Sequence, residues 1–326
     1  MRAIIYTEYG PPEVLQLKEL PKPKPKEDEV LIRIYATTVT TAGIAALRGK
    51  PVISRLFTGI TKPNHPILGV ELAGEIEAAG AGVSRLRAGD KVFASTSYGT
   101  LCEYICLPEN TPVVLKPPSM TFEQAAAAVD GAHTALYFLR DMGNIQSGSK
   151  VLINGASGSI GTFAVQLARH FGAQVSGVCS TKNLELVKSL GADAVFDYTA
   201  EDFTKSGETY DIIFDTVNKS SFSRCKNALT PDGIYLTTYP TAAILLQMAW
   251  NSLTRGKKAA AGFAGVRPDS EKTENLHFLR ELIEGGSLRS VIDRTYPLEQ
   301  ASEAYHYVAK GHKVGNVVIT IQQSQE

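Results

Sequence analysis

An excess of charge of one sign is the first thing this sequence lacks. Lys plus Arg and Asp plus Glu number 33 each, so the 326-residue chain is formally neutral. No net field favours nucleic acid or an anionic membrane surface. Long apolar runs are missing too. The most apolar stretch, residues 242–250, is roughly half the ~20 residues that a spanning helix needs. The opening MRAIIYTEYGPPEV has no apolar core followed by a small-residue cleavage site, and reads as a first strand and turn. Together these absences predict a soluble, cytoplasmic protein. Cysteine is scarce, with four residues at 102, 106, 179 and 225. Cys102 and Cys106 lie in LCEYICLPEN, which reads as one strand with both thiols on one face. No further Cys or His follows at ligand spacing, so thiols without a metal are expected.

What is present changes character along the chain. The first third carries short strand signals, RAIIYTEY, EVLIRIYATTV, GVELAGEIEAAG and DKVFAST, separated by Gly and Pro. PKPKPKEDE suits an exposed connector. From about Thr121 the pattern alternates. SMTFEQAAAAV predicts a helix capped by Ser119 or Thr121. KVLINGA, AQVSGVCS, AVFDY and YDIIFDTV read as strands, IGTFAVQLARHFG and TKNLELVKSLGA as helices. Short apolar strands alternating with helices predict a parallel sheet covered on both faces. In the tail, ENLHFLRELIEGGS predicts an amphipathic helix stopped by Gly285 and Gly286. RTYPLEQASEAYHYVAKGH reads as a second helix and KVGNVVITI as a closing strand.

The sharpest motif runs from Val151 to Gly161, VLINGASGSIG, a strand entering a helix through Gly155, Gly158 and Gly161. Glycines there permit backbone angles that other residues resist, and they let N–H groups approach a pyrophosphate. A helix starting near Ser159 turns its positive end to the same anion. The strand before the loop, the helix after it and the second strand beyond make this a dinucleotide-binding pattern. After that second strand comes Cys179-Ser180-Thr181-Lys182-Asn183, with hydroxyls and an amine but no acid. An acid there commonly holds a free ribose hydroxyl, whereas Lys and Ser/Thr suit a 2′-phosphate. NADPH is therefore expected over NADH. The same missing acid argues against a methyltransferase.

These stretches resemble the medium-chain dehydrogenase/reductase superfamily, and within it the zinc-free quinone oxidoreductase branch. The likeness covers nearly the whole chain, through HPILGVELAGEIEAAGAGVSRLRAGDKVF, AAAAVDGAHTALYFL, the glycine-loop region and GHKVGNVVITI. It implies an α/β protein with a GroES-like β-rich catalytic domain and a doubly wound Rossmann domain. The implied spans are 1–120 for the first part of the catalytic domain, 121–262 for the cofactor domain and 263–326 for the return. It places Gly155, Ser157, Gly158, Ser159, Ile160 and Gly161 at the pyrophosphate. Ser180 and Lys182 would meet the 2′-phosphate, with Tyr198 beside the adenosine. Thr134, Val217 and Phe263 would line the nicotinamide end, and Asn316 would touch the cofactor. Each of these last could equally be a packing or turn residue.

Zinc members resemble this chain differently where it matters. They carry Cys at the position of Thr41 and a His-Glu pair at Val70-Glu71, and neither Thr nor Val suits zinc there. Nor does a four-cysteine lobe follow Asp90-Lys91-Val92. No metal site is therefore expected. The segment 39–45, VTTAGIA, departs from the family's Val-Asn-Pro and its following acid or Tyr. Tyr6, Thr40 and Asp130 are the catalytic candidates on the substrate side, with Thr41, His133 and the 244–250 segment beside them. The implied chemistry is hydride delivery from NADPH to a quinone, enone or similar activated carbonyl, where the cofactor carries the difficult step. Two alternatives stay open: a metabolite-specific enoyl or alkenal reductase, and a non-catalytic NADPH-binding sensor. A homodimer is expected from the resemblance.

Overall fold

Strand β1 (Arg2–Ile5) pairs antiparallel with β2 (Gln16–Glu19) as a ribbon of its own. The structure, a computed structural model, describes residues 1–251 and 256–322. The last residues of the implied 263–326 span, and four inside the 121–262 span, thus lie outside the described residues. The long strand β3 (Glu29–Val39) leads into the short helices α1 (Thr41–Leu47) and α2 (Arg55–Thr58). Four strands follow: β4 (Glu71–Ala79), β5 (Lys91–Ser95), β6 (Tyr104–Pro108) and β7 (Val113–Leu115). Next come α3 (Phe122–Ala127) and α4 (Asp130–Leu136). Thr121 caps α3 in a reciprocal box with Gln124, each side chain bonding the other's backbone N–H.

From here strands and helices alternate as the pattern predicts: β8 (Lys150–Asn154), α5 (Ser159–His170), β9 (Gln174–Cys179), α6 (Leu184–Ser189), β10 (Ala194–Asp197) and β11 (Tyr210–Asp215). The run continues with α7 (Phe222–Cys225), β12 (Leu229–Thr237), α8 (Ala242–Asn251) and β13 (Lys258–Ala261). The tail adds α9 (Asp269–Glu284), β14 (Ile292–Pro297), α10 (Ala301–Ala309) and β15 (Asn316–Thr320).

These elements form two compact units. Among the described residues, one holds Met1–Asp130, Pro268–Glu284 and everything from Ser290 on; the other holds Gly131–Arg267 and Gly285–Arg289. The first is built on a sheet in the order β14-β15-β3-β4-β5-β7, with β6 also on β3. All its pairings are antiparallel except β14 on β15. Ile32, Ile34, Leu72, Ile76 and Val317 fill its apolar core, together with Leu298 and Tyr305 from the tail. The second unit holds an all-parallel sheet in the order β10-β9-β8-β11-β12-β13. Counting from the first strand, that is the doubly wound order whose switch point lies beside β8. Its central strands β8 and β11 are almost wholly buried, which explains their unbroken apolar runs.

Two sequence expectations fail. The stretch from Arg294 to Pro297 is not helix but the end of β14, paired in parallel with β15, and the helix starts only at Ala301. Pairing across a gap in sequence overrides the local pattern, and Pro297 closes the strand. Cys102 and Cys106 do not share a strand either. Cys102 precedes β6, bridges to Ala3 and is buried, with its thiol against the carbonyls of Gly99 and Tyr104 at 3.1 Å.

Candidate functional site

In the parallel-sheet unit, β8 ends at Asn154 and the chain turns through Gly155, whose φ of 86° lies in the left-handed region. A Cβ there would stand 2.5 Å from Val217 Cγ1 and 2.6 Å from Thr216 Oγ1. The N–H groups of Gly155 and Ala156 both donate to the Val178 carbonyl of β9, at 3.1 and 3.0 Å. Gly158 donates to Gly155 O at 3.0 Å and caps α5 without a side chain. The first N–H groups of a helix have no intrahelical acceptor, so this end of the 12-residue α5 presents donors that suit an anion. Gly161 packs so close to the loop that a Cβ would meet Gly155 O at 2.1 Å. Gly155, Ser157, Gly158, Ser159, Ile160 and Gly161 are thus brought together around one turn, and the bare backbone they present fits a dinucleotide's pyrophosphate.

Beyond β9, Asn183 ties the neighbouring segment to this loop. Its buried amide donates to Ser157 Oγ at 3.0 Å and to Ser180 Oγ at 3.3 Å. Ser180 is half-buried, and Lys182 and Tyr198 are exposed, Tyr198 at 58%. The sequence reading missed an acid here. Asp197 ends β10 directly opposite Cys179 in the register. It accepts from Thr181 Oγ1 at 2.5 Å, and from Thr199 Oγ1 and N at 2.7 and 2.9 Å. Those hydroxyl donors hold it below the usual carboxylate range. The polar end of the site therefore combines an exposed ammonium with a carboxylate already engaged by threonines.

At the other end of the sheet's rim, Val217 is partly exposed beside Gly155, and Phe263 is exposed just after β13. Thr134 is buried in α4. A second missed residue, Asp215, is fully buried at the end of β11. It accepts from Asn154 Nδ2 (3.1 Å), Val217 N (3.1 Å), Ser220 N (3.0 Å) and Tyr235 OH (2.8 Å). This carboxylate pins the ends of β8, β11 and β12 and sets the turn that carries Val217.

The antiparallel unit scatters the substrate-side candidates. Tyr6 is buried in the apolar core near Tyr305, and burial pushes its phenol up to about 12. Thr40 caps α1, its Oγ1 accepting from Gly43 N at 2.9 Å, and Thr41 is exposed. Asn316 is buried on β15, its backbone and side-chain N–H groups both donating to Val291 O at 2.8 and 3.2 Å. Asp130 is half-buried, and its N–H donates to Glu71 Oε2 at 2.5 Å. Glu71, only 1% exposed, also accepts from Thr38 Oγ1. Lys313 lies near both carboxyls. In the parallel-sheet unit, His133 is buried in α4; in α8, Ile244 is buried while Leu245, Leu246 and Trp250 are exposed. Among the described residues, no group of three or more His, Cys, Asp or Glu is placed to hold a metal ion. No helix among them is long and apolar enough to cross a membrane.

Two family models match, "Alcohol dehydrogenase GroES-like domain" over residues 26–118 and "Zinc-binding dehydrogenase" over residues 190–319. A chloroplastic quinone-oxidoreductase homolog of Spinacia oleracea is 32% identical over 334 residues, covering 98% of each chain. The chain belongs to the medium-chain dehydrogenase/reductase superfamily, in its quinone oxidoreductase-like branch. Among other members, a 2-methylene-furan-3-one reductase of Solanum lycopersicum is 31% identical over 333 residues, covering 98% of this chain and 79% of that one. The quinone oxidoreductase structure from Coxiella burnetii superposes with a TM-score of 0.84 at 26% identity, covering 99% of both chains. Both family landmarks read in the sequence, the GroES-like part and the Rossmann-type part, are present as folded units.

Proposed function

We propose that this protein is a zinc-independent, NADPH-dependent reductase that delivers hydride to a quinone, enone or similar activated carbonyl compound. The observation that carries the reading is the side-chain-free cradle from Gly155 to Gly161 at the positive end of α5, built to take a pyrophosphate. The bound nicotinamide would supply the hydride. The chain's own residues bind and orient it: the loop backbone at the pyrophosphate, Ser180 and Lys182 at the 2′-phosphate, Val217 and Phe263 toward the nicotinamide. Zinc independence is supported by the donor set, since Thr41 and Val70 stand where zinc members use Cys and His. Without a Lewis acid, simple alcohol oxidation is disfavoured and conjugated acceptors are favoured. The relatives' names point the same way, one a quinone-oxidoreductase homolog and another a 2-methylene-furan-3-one reductase.

The deciding assay follows NADPH and NADH oxidation by absorbance against a panel of quinones and enones, with and without a chelator. Turnover that prefers NADPH and ignores the chelator is expected. Tight NADPH binding without turnover of any acceptor refutes the reductase and favours a cofactor-binding sensor; loss of activity to the chelator refutes zinc independence.

Lys182→Ala tests the cofactor choice. It should weaken NADPH binding about tenfold, roughly one charged hydrogen bond's worth, and leave NADH binding unchanged. Equal weakening of both cofactors in a fluorescence titration would remove Lys182 from the 2′-phosphate. The same reading pairs two copies into a homodimer through the β13 edge of the parallel sheet. Sedimentation equilibrium should show the dimer mass, and a concentration-independent monomer refutes it.

A further inference from the structure

A serine can hold a phosphate only when its hydroxyl proton points at the anion, and the serine alone does not fix that. We propose that Asn183 is a specificity-determining positioning residue, whose amide commits the Ser157 and Ser180 hydroxyls to donate to the cofactor's phosphates. The proposal rests on the NADPH reading above and extends it to a side chain that acts through the serines.

Asn183 stands at the N-terminal cap position of α6, where an asparagine side chain ordinarily accepts from the helix's first N–H groups. This one makes no cap bond. Its backbone N–H closes a turn on Ser180 O at 2.9 Å, and its side chain, 8% exposed, is turned to the two serines instead. Nδ2 donates to Ser157 Oγ at 3.0 Å and to Ser180 Oγ at 3.3 Å. An amide NH2 carries two protons, so one group can serve both hydroxyls at once. The serines come from different segments, Ser157 from the glycine loop after β8 and Ser180 from the residue after β9. Both are part-exposed, which leaves each open to a ligand. A tie that served the fold alone would already have partners at the cap position, in the N–H groups of α6.

The chemistry of the bond sets the direction of the serine protons. A hydroxyl oxygen that accepts an N–H keeps its own proton, and an amide nitrogen offers no lone pair to receive it. Neither serine hydroxyl finds a protein acceptor among the described residues. Each is therefore left as a donor beside the loop, the form that a phosphate oxygen needs. The far side of the same turn is held separately. Thr181 spends its hydroxyl proton on Asp197 Oδ2 at 2.5 Å, at the end of β10. With Asn183 tied to the glycine loop and Thr181 to β10, the turn is fixed on both sides. Ser180 and exposed Lys182 remain as its groups for the 2′-phosphate.

A double-mutant cycle read in binding separates this role from a structural one. Dissociation constants for NADPH and NADH come from nicotinamide fluorescence. Asn183→Ala should lower the preference for NADPH over NADH about tenfold, with a further loss of about threefold common to both cofactors through Ser157. In a Ser180→Ala background the same change should leave the preference within about twofold, because its target hydroxyl is gone. A shift in preference of equal size in both backgrounds overturns the amide's role, since a merely loosened turn would act through Lys182 as well. If Asn183→Ala does not fold, Asn183→Leu keeps the branched shape without the donors and takes its place in the cycle. In the unmutated protein, 2′,5′-ADP should move the Asn183 side-chain amide NMR signals more than 5′-AMP does. Equal movement in a protein that prefers NADPH also overturns the role. A wild-type protein that binds NADH as tightly as NADPH overturns instead the 2′-phosphate reading on which the proposal stands.

Discussion

Gly161→Ala should cost the protein both stability and cofactor. The new Cβ would lie 2.1 Å from Gly155 O and 2.8 Å from Ala156 Cα, both backbone atoms that cannot rotate aside. Helix α5 must then lift from the loop. Overpacking of this kind costs about 1–3 kcal/mol, and it also moves the N–H groups that face the anion. Affinity for NADPH should fall by roughly 100-fold, the loss of binding equivalent to about 3 kcal/mol. Gly158→Ala is the contrast. Its Cβ would meet only Gly155 O, at 3.3 Å, and its φ of −82° suits any residue. Alanine there should leave the thermal midpoint near wild type while still weakening the cofactor, because the second glycine of the loop is where a pyrophosphate approaches. A fluorescence titration with a parallel melting curve separates the two. Wild-type affinity in Gly161→Ala would show that the loop does not grip the cofactor as proposed.

How far the sequence could be read depended on how local the cause was. The turn from β8 into α5 was legible because three glycines, an apolar run and a helical period sit within a few residues. The Thr121 cap was legible for the same reason. By contrast, the Arg294–Pro297 part of β14 reads as helix in the sequence because its stability comes from β15, further along the chain, and because the side chains of β14 are mostly part-exposed at a sheet edge. The acid at 197 was overlooked because it belongs to the third strand of the parallel sheet. Only the pairing of β10 with β9 brings it opposite Cys179. Glu71 lay inside the quoted run GVELAGEIEAAG, but nothing local distinguishes a buried, partnered glutamate from one on a solvated face. Its partners Asp130 and Lys313 come from distant segments that the sheet gathers. Asp130 itself was legible as an oddity, and its partners explain it.

The same limit explains Asp215, and its removal should be the most destabilising single change in the parallel-sheet unit. The sequence DTVNK drew attention to Val217, yet the structure makes the aspartate the organiser. Asp215 is fully buried, and its two oxygens accept from four donors on β8, the turn after β11, and β12. Such an arrangement is stable only while complete, because low polarity around a carboxylate magnifies both its bonds and its omissions. In Asp215→Ala the Asn154 amide, the Val217 and Ser220 N–H groups and the Tyr235 hydroxyl lose their acceptor together. One unsatisfied buried donor costs about 1–3 kcal/mol, so several at once should exceed ~4 kcal/mol even after relaxation and partial hydration. Asp215→Asn keeps the shape and one good acceptor but turns an NH2 toward existing donors, so it should fall between alanine and wild type. Urea unfolding followed by circular dichroism gives the order. The Val217 turn should loosen as well, so Asp215→Asn should bind NADPH more weakly than its stability alone predicts. If Asp215→Ala unfolds within about 1 kcal/mol of wild type, the four bonds are not holding the strand ends, and the turn must be set by Gly155 and its neighbours instead.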